Sequence, residues 1–446
     1  MPISATSAKP AQKLMSADDA LARILAGVPT LPAVESPILD ALGLVLAEDI
    51  AADRDVPPFR NSAMDGYAVR GDDVASAPVE LRVVGEIAAG GFPDRSVGPG
   101  EAMRIMTGAP VPDGADTVVR VEDTDNASDL VTITAATPKG MAIRHAGEDL
   151  KAGERVLVAG TVLRAAEIGL LASVGRARVR VRKRPRVAVF STGDEIVDLD
   201  APIGRGQIRD SNRYTLASAI RAAGAEPWVG GIVPDAPDAL RAALREAAAA
   251  DVIVTSGGVS VGDHDHMKPV LSELGTIDFW AIAIRPGRPL AFGEIKDGDR
   301  RVPIFGLPGN TVSALVTFEI FVRPALLRMQ SRANVSRPKA KARLLDPIDK
   351  PDFLRVFARG EQHRRAEGKN CADNPVQPIM IAGHDNCDRH QYARNIRQVA
   401  PAVTSPTPAK SIPSDQRPAD MKTRHRRKLV NEAMPSAEQT VCINHV

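Results

Sequence analysis

The stretch Val252–His266, VIVTSGGVSVGDHDH, decides how the fold is read. Val-Ile-Val-Thr-Ser is a short β-branched apolar run that stops at two glycines, which reads as a strand rather than a helix. A strand apolar on both faces must be buried on both faces, the situation of a parallel sheet covered by helices. After the strand the chain supplies material for an anion cradle, a metal site, or only an acidic turn carrying His264 and His266. Structural zinc takes four N or S ligands. No cysteine or third histidine is near in sequence, so a solvated loop is preferred for the two histidines.

Working outward, strands and helices alternate over residues 184–330. RVAVFS, PWVGGIV, VIVTS, IDFWAIAI, PLAFGEI and VPIFGL read as strands. SNRYTLASAIRAAG, capped by Ser211 or Asn212, PDALRAALREAAAA and Met267–Leu274 read as helices, and NTVSALVTFEIFVRPALLRM as a long closing one. This rhythm predicts a mostly parallel βα domain with every strand-to-helix loop at one sheet edge. Three of those loops share a design: STGDE after Val187–Phe190, SGGVSVG after Val252–Thr255, and GLPGNT after Val302–Phe305. Glycine lets backbone amides approach a ligand, Ser and Thr add hydroxyls, and Asn310 is placed to cap the helix that follows. No P-loop signature, no G-x-G-x-x-G after a strand and no H-E-x-x-H is present, which argues against a P-loop NTPase, a dinucleotide dehydrogenase and a zincin. The same loops carry Asp194, Glu195, Asp235, Asp263 and Asp265. Each alone reads as a cap or turn former. Together they suit a hard cation such as magnesium, which keeps waters and bridges phosphate oxygens.

Residues 51–149 change character. Runs such as VELRVVGEI and DTVVRVED, broken by Gly, Pro and Asp-Gly turns, predict a small β-rich, barrel-like domain. Residues 12–50 and 150–183 flank it as a linker region: a helix opened by Ser16, a second helix before residue 50, and short strands around RAAEIGLLASVG. Seven basic residues lie among the eleven of Arg176–Arg186. Their alternation with Ala and Val, and the lack of aromatics to stack bases, predict a strand with one solvated face rather than a nucleic-acid patch. The formal net charge of +2 gives nucleic acid or an anionic membrane no global argument, and no apolar run reaches a membrane span. The N-terminus lacks a signal-peptide core, so a cytoplasmic location is expected. All three cysteines, Cys371, Cys387 and Cys442, lie beyond residue 370. A disulfide framework is thereby excluded from the preceding chain.

The motifs NSAMDGYAV, RIMTGAPVP, HAGEDL, FSTGDE, SGGVSVG, RPGRP and GLPGN, in this order from Asn61 to Asn310, resemble those of the molybdopterin molybdenumtransferases, bacterial molybdenum-insertion enzymes similar also to the E domain of gephyrin. The resemblance covers roughly residues 12–360. It implies insertion of molybdenum from molybdate into adenylylated molybdopterin with release of AMP, a requirement for magnesium, and an elongated homodimer whose cleft lies between the βα domain of one subunit and the β-rich domain of the other. It implies catalytic roles for Asp65, Thr107, Asp149, Glu195, Asp235 and Asp265, the last three also as metal ligands. Ser256, Gly257, Gly258, Ser260, Arg285, Arg288, Pro308 and Gly309 would bind the anionic substrate. Molybdopterin adenylyltransferase is a further expected partner.

Departures from the family pattern are present. Arg285 and Arg288 stand where the family has lysines, Ala281 where it has a basic residue, and GLPGNT lacks a second proline. The family's small C-terminal β domain is matched only by its start, residues 335–360. From 361 to 446 composition alone reads as disordered and basic. The degenerate codons of Gly383–Cys387, read one base later, permit Gly-Met-Ile-Thr, so the change is read as a frame shift near residue 361. Two other functions stay open at this point: an inactive pterin-binding scaffold and a molybdopterin adenylyltransferase.

Overall fold

The computed structural model describes residues 14–258, 266–338, 340–341, 354–362, 377–382, 440–441 and 444–445. Its largest sheet has six strands in the order Glu226–Val233, Arg186–Thr192, Val252–Ser256, Arg300–Leu307, Pro289–Asp297, Gly275–Ala281. The first four are mutually parallel, and the last two close the sheet as antiparallel neighbours. Alternation along the strands feeds two cores. Val187, Val189, Val252 and Val254 face the helices Asn212–Ala222 and Thr311–Met329. Ala188, Phe190 and Ile253 face Pro237–Ala247 and Met267–Leu274. Residues 302–307, buried throughout, serve both sides. The expected parallel βα sheet is therefore present, with a mixed edge.

The closing helix differs from its expected regular form. It is α-helical over Thr311–Thr317, π-helical over Phe318–Val322 and α-helical again over Arg323–Met329. Pro324 has no N–H to donate to the carbonyl one turn back, and the Arg323 N–H reaches Phe318 O instead. A wide turn ahead of a proline accommodates that missing bond.

The β-rich region holds a five-stranded sheet in the order Thr117–Arg120, Gly66–Val69, Glu101–Ile105, Val79–Ile87, Leu130–Ile133. Its two ends meet through Thr124 and Ile133, with Asp125 N–H on Thr132 O and Thr134 N–H on Asp123 O, so the sheet curls toward a barrel. The linker region opens with the helix Ala17–Gly27, whose N-cap Ser16 accepts the Asp19 N–H at 3.0 Å. The second helix expected before residue 50 is absent. Ala33–Pro37 is a strand antiparallel to Arg178–Arg182, followed by turns in which Gly43 sits at φ +79°. That pairing buries Val179 and Val181 and leaves Arg178 and Arg180 exposed, as the solvated-strand reading required.

Helix Asn212–Ala222 is not capped by the side chain of Ser211 or Asn212. Asp210 Oδ1 accepts the Arg213 N–H at 3.0 Å and does that work. Most of residues 361–446, including Gly383–Cys387, lies outside the described residues. Within that range, however, Gln377–Ala382 is a strand antiparallel to Arg355–Gln362, where composition alone predicts disorder. QPIMIA is a short apolar, β-compatible run inside a polar tract. No helix among the described residues is long and apolar enough to cross a membrane.

Candidate functional site

Four parallel strands deliver their carboxyl ends to one edge. Ser191 pairs with Ser256, Ser256 with Leu307, and Thr192 with Val233. The loops 193–195, 234–235, 257–258 and 308–310 therefore emerge side by side. Asp194 and Glu195 are exposed, and Asp235 is half-buried. The Asp235 N–H donates to Asp194 Oδ1 at 3.2 Å. Burial pushes the Asp235 carboxyl above the usual aspartate range, the like charges of Asp194 and Glu195 push it further, and His266 opposes them. His266, set aside from the sequence as a solvated loop residue, thus belongs to the electrostatic neighbourhood of this cluster. Among the described residues no group of three or more His, Cys, Asp or Glu stands at metal-binding separation. Asp265, with Asp263, His264 and Ser260, lies outside the described residues.

Beside the acids, Ser256 is 2% exposed. Gly257 and Gly258 follow at φ +96° and +67°, a region favouring glycine. A Cβ on Gly257 would lie 2.8 Å from Thr192 O and 2.9 Å from Thr192 Oγ1. The Gly257 N–H donates to Leu307 O, joining this loop to the next. There Pro308 is buried, Gly309 exposed, and Asn310 caps the helix by accepting the Ser313 N–H at 3.1 Å. Asn212 Nδ2 donates to both Ser256 Oγ and Gly309 O, each at 2.7 Å. Arg285 and Arg288 are exposed at a loop that packs on the same helix, since a Cβ on Gly287 would meet Thr317 Oγ1 at 2.6 Å. Neither arginine has a carboxylate partner among the described residues. This edge presents glycine backbone, buried hydroxyls and two free guanidinium groups next to a knot of carboxylates. Such a set can hold a polyanion together with a hard cation.

A second group forms in the β-rich region. Asn61–Ser62 pairs with Ile143–Arg144, and the Gly108 N–H donates to Ser62 O, so three motifs far apart in sequence meet. Asp65 Oδ1 accepts both the Thr107 hydroxyl and N–H at 2.7 Å, and these bonds hold its carboxyl below the usual range. Asp149 pairs with the Arg144 guanidinium, and its N–H donates to Val56 O at 2.9 Å. Asp65, Thr107 and Asp149 are all exposed. Among the described residues no hydrogen bond or ion pair joins this group to the βα edge.

Three polar residues at the βα edge escaped the sequence reading as site components: Thr192, Asp210 and Asn212. Asp210, 2% exposed, accepts Ser191 Oγ at 3.0 Å and lies 3.2 Å from the buried Arg213 Nε. The repeated strand-end pattern Ser/Thr-Gly could have flagged Thr192, whereas the other two gain their partners only through tertiary contact.

The fold and these two groups define a chain with an N-terminal β-rich half and a βα half whose strand-end loops gather glycines, hydroxyls and carboxylates at one sheet edge. Family comparison gives the same division: residues 15–175 match the MoeA N-terminal region (domain I and II), and residues 188–328 match a "probable molybdopterin binding domain". The chain belongs to the molybdopterin molybdenumtransferase family, transferases of molybdenum cofactor biosynthesis. It is 43% identical to the Nostoc sp. molybdopterin molybdenumtransferase over 331 residues, covering 72% of this chain and 76% of that protein. It is 37% identical to molybdopterin molybdenumtransferase 1 of Mycobacterium tuberculosis over 372 residues, covering 79% and 87%. A solved molybdopterin biosynthesis MoeA protein from Pyrococcus horikoshii superposes with a TM-score of 0.65 at 36% identity, over 77% of this chain and 86% of the other.

Proposed function

We propose that this chain transfers molybdenum from molybdate to adenylylated molybdopterin, with magnesium, and releases AMP. The observation that carries the reading is the half-buried Asp235, whose carboxyl is driven up by burial and further by Asp194 and Glu195 at the rim of a glycine-and-hydroxyl cradle. Like-charged carboxylates beside an anion site call for a cation between them. Magnesium fits this donor set, because it takes one or two carboxylates and completes its shell with water and phosphate oxygens, so a dense three-ligand cage is not required. Glu195 and Asp235 would hold it, with Asp265 as the third acid of the motif set. When bound, it would supply charge neutralisation on the phosphate oxygens of the pterin–AMP linkage.

The chain's own groups do the rest. The Gly258 backbone amide and the Ser256 hydroxyl face a tetrahedral dianion, and Arg285 and Arg288 bind oxyanion edges as planar forks. Asp65, held ionised by Thr107, and Asp149, aimed by Arg144, form the second wall. In this reading a second copy of the chain brings that wall to the first copy's cradle, since among the described residues no hydrogen bond or ion pair joins the two groups. Asp235 keeps its proton to higher pH than an ordinary aspartate, so cation affinity is expected to fall as pH drops through that raised value.

The test is incubation with adenylylated molybdopterin, molybdate and magnesium. Molybdate-dependent AMP release by the wild type, abolished in Glu195→Ala and Asp265→Ala with folding retained, is the expected result. Wild-type turnover in either variant would sink the assignment of these acids. No AMP release, but ATP formed from adenylylated molybdopterin when pyrophosphate is supplied, would indicate an adenylylation enzyme, and neither product a scaffold.

A further inference from the structure

Resting on the proposed transferase reading, we infer that Asn212 is a positioning residue for the anion cradle, acting by fixing the direction in which the Ser256 hydroxyl donates. Asn212 stands at the start of helix Asn212–Ala222, 44 residues before Ser256 and 97 before Gly309, and its one amide nitrogen donates to both. The two bonds tie the second strand-end loop to the third. They also set polarity. An amide N–H can only donate, so Ser256 Oγ is the acceptor in that bond, and its own proton is left to point elsewhere. Ser256 is 2% exposed, at the end of its strand and directly before Gly257 and Gly258. The proton therefore points to the cradle side as a preset donor for an oxyanion.

Two further observations mark this edge as built for a ligand. Thr192, 5% exposed, has an Oγ1 with no partner in the described structure, and it lies 2.9 Å from where a Cβ on Gly257 would be. Asn212 Oδ1 is likewise buried without a partner. Buried polar atoms are nearly always paired. The Thr192 hydroxyl, an orphan donor on the strand end next to that of Ser256, marks a place for a ligand oxygen. Asn212 is thus the bracket, Ser256 the donor, and Thr192 a second hydroxyl at the same wall.

The experiment is a double-mutant cycle on molybdate-dependent AMP release and on equilibrium binding of molybdate alone, using the full chain. Asn212→Ala and Ser256→Ala are each expected to raise the KM and Kd for molybdate about tenfold, the worth of one hydrogen bond to a charged group. Values of kcat should stay within about twofold, and thermal midpoints should confirm folding. The double variant is expected to be no worse than Ser256→Ala, because Asn212 acts through that hydroxyl. Asn212→Asp, which accepts rather than donates, should turn the Ser256 proton away from the ligand and bind molybdate more weakly than Asn212→Ala. Additive losses in the double variant, or an unchanged KM and Kd in Asn212→Ala while the wild type turns over, would overturn the inference and leave the transferase reading intact. A wild type that neither binds molybdate nor releases AMP overturns both.

Discussion

Asp210→Ala is the substitution whose cost follows most directly from the geometry. Asp210 is 2% exposed and Arg213 4%. One carboxylate oxygen accepts both Ser191 Oγ and the Arg213 N–H, each at 3.0 Å. The other lies 3.2 Å from Arg213 Nε, an ionic contact without the angles of a hydrogen bond, and attraction between buried charges depends on distance far more than on angle. Truncation would leave the guanidinium with Asp198, which is 57% exposed, and with Gly230 O. Removing one partner of a buried ion pair costs about 3–5 kcal/mol. For a domain of this size that lowers the thermal midpoint by about 6–20 °C. The assay is thermal unfolding by circular dichroism at neutral pH, with Asp210→Ala/Arg213→Met as companion. The double variant removes both charges and should recover part of the loss. A fall under about 3 °C for the single variant, close to 1 kcal/mol, or a double variant as unstable as the single, would refute the reasoning.

Three other outcomes are expected. Gly257→Ala should lose about 2 kcal/mol or more, because φ is +96° and the new Cβ would sit 2.8 Å from a backbone oxygen, while Gly309→Ala, whose nearest neighbour would be at 3.9 Å, should leave the thermal midpoint nearly unchanged. Equal midpoints for the two variants would show that the close approach to Thr192 does not matter. Asp235→Asn should raise the midpoint of the cation-free protein by no more than about 2 °C; the folded carboxyl is raised, so its penalty is full above that raised value and vanishes below the ordinary aspartate range, where the gain should disappear. A drop in midpoint at neutral pH contradicts the burial-and-repulsion account. Glu167, which accepts the Arg164 N–H and guanidinium at the start of helix Ala165–Ser173, has its carboxyl pulled down from 4.5 to about 2. Its stabilisation is present above the unfolded value and lost as pH falls toward about 2, so the midpoints of Glu167→Gln and wild type should differ at pH 7 and converge in acid.

What was legible in the sequence was what neighbouring residues decide together. Ser16 caps a helix through Asp19, three residues on, and the alternation in RVRVR puts Val179 and Val181 inside whatever lies beyond. The twofold burial of RVAVFS and VIVTS announced a covered parallel sheet. Elements set by distant partners were not legible. Ala33–Pro37 has no strand character until Arg178–Arg182 pairs with it, and the sequence alone predicts a second helix before residue 50 instead. Likewise Ser211 and Asn212 look like helix caps, but Asn212 is drawn instead to Ser256 and Gly309, and Asp210 takes the capping role.

The same distinction governs the acids. Sequence places Glu195 after one strand and Asp235 after another, each indistinguishable from a turn former. Only the sheet order, in which Arg186–Thr192 lies between Glu226–Val233 and Val252–Ser256, makes neighbours of their loops. Once they are neighbours, Coulomb repulsion and burial act on Asp235 together, and the residue acquires a property that neither loop has alone. A parallel sheet does this at every adjacent pair of strand ends, and it does so without local sequence preference for a site. The chemistry of this edge is therefore a consequence of topology acting on ordinary turn residues, and Asn212, reaching across two of the loops, is the side chain that holds the consequence in register.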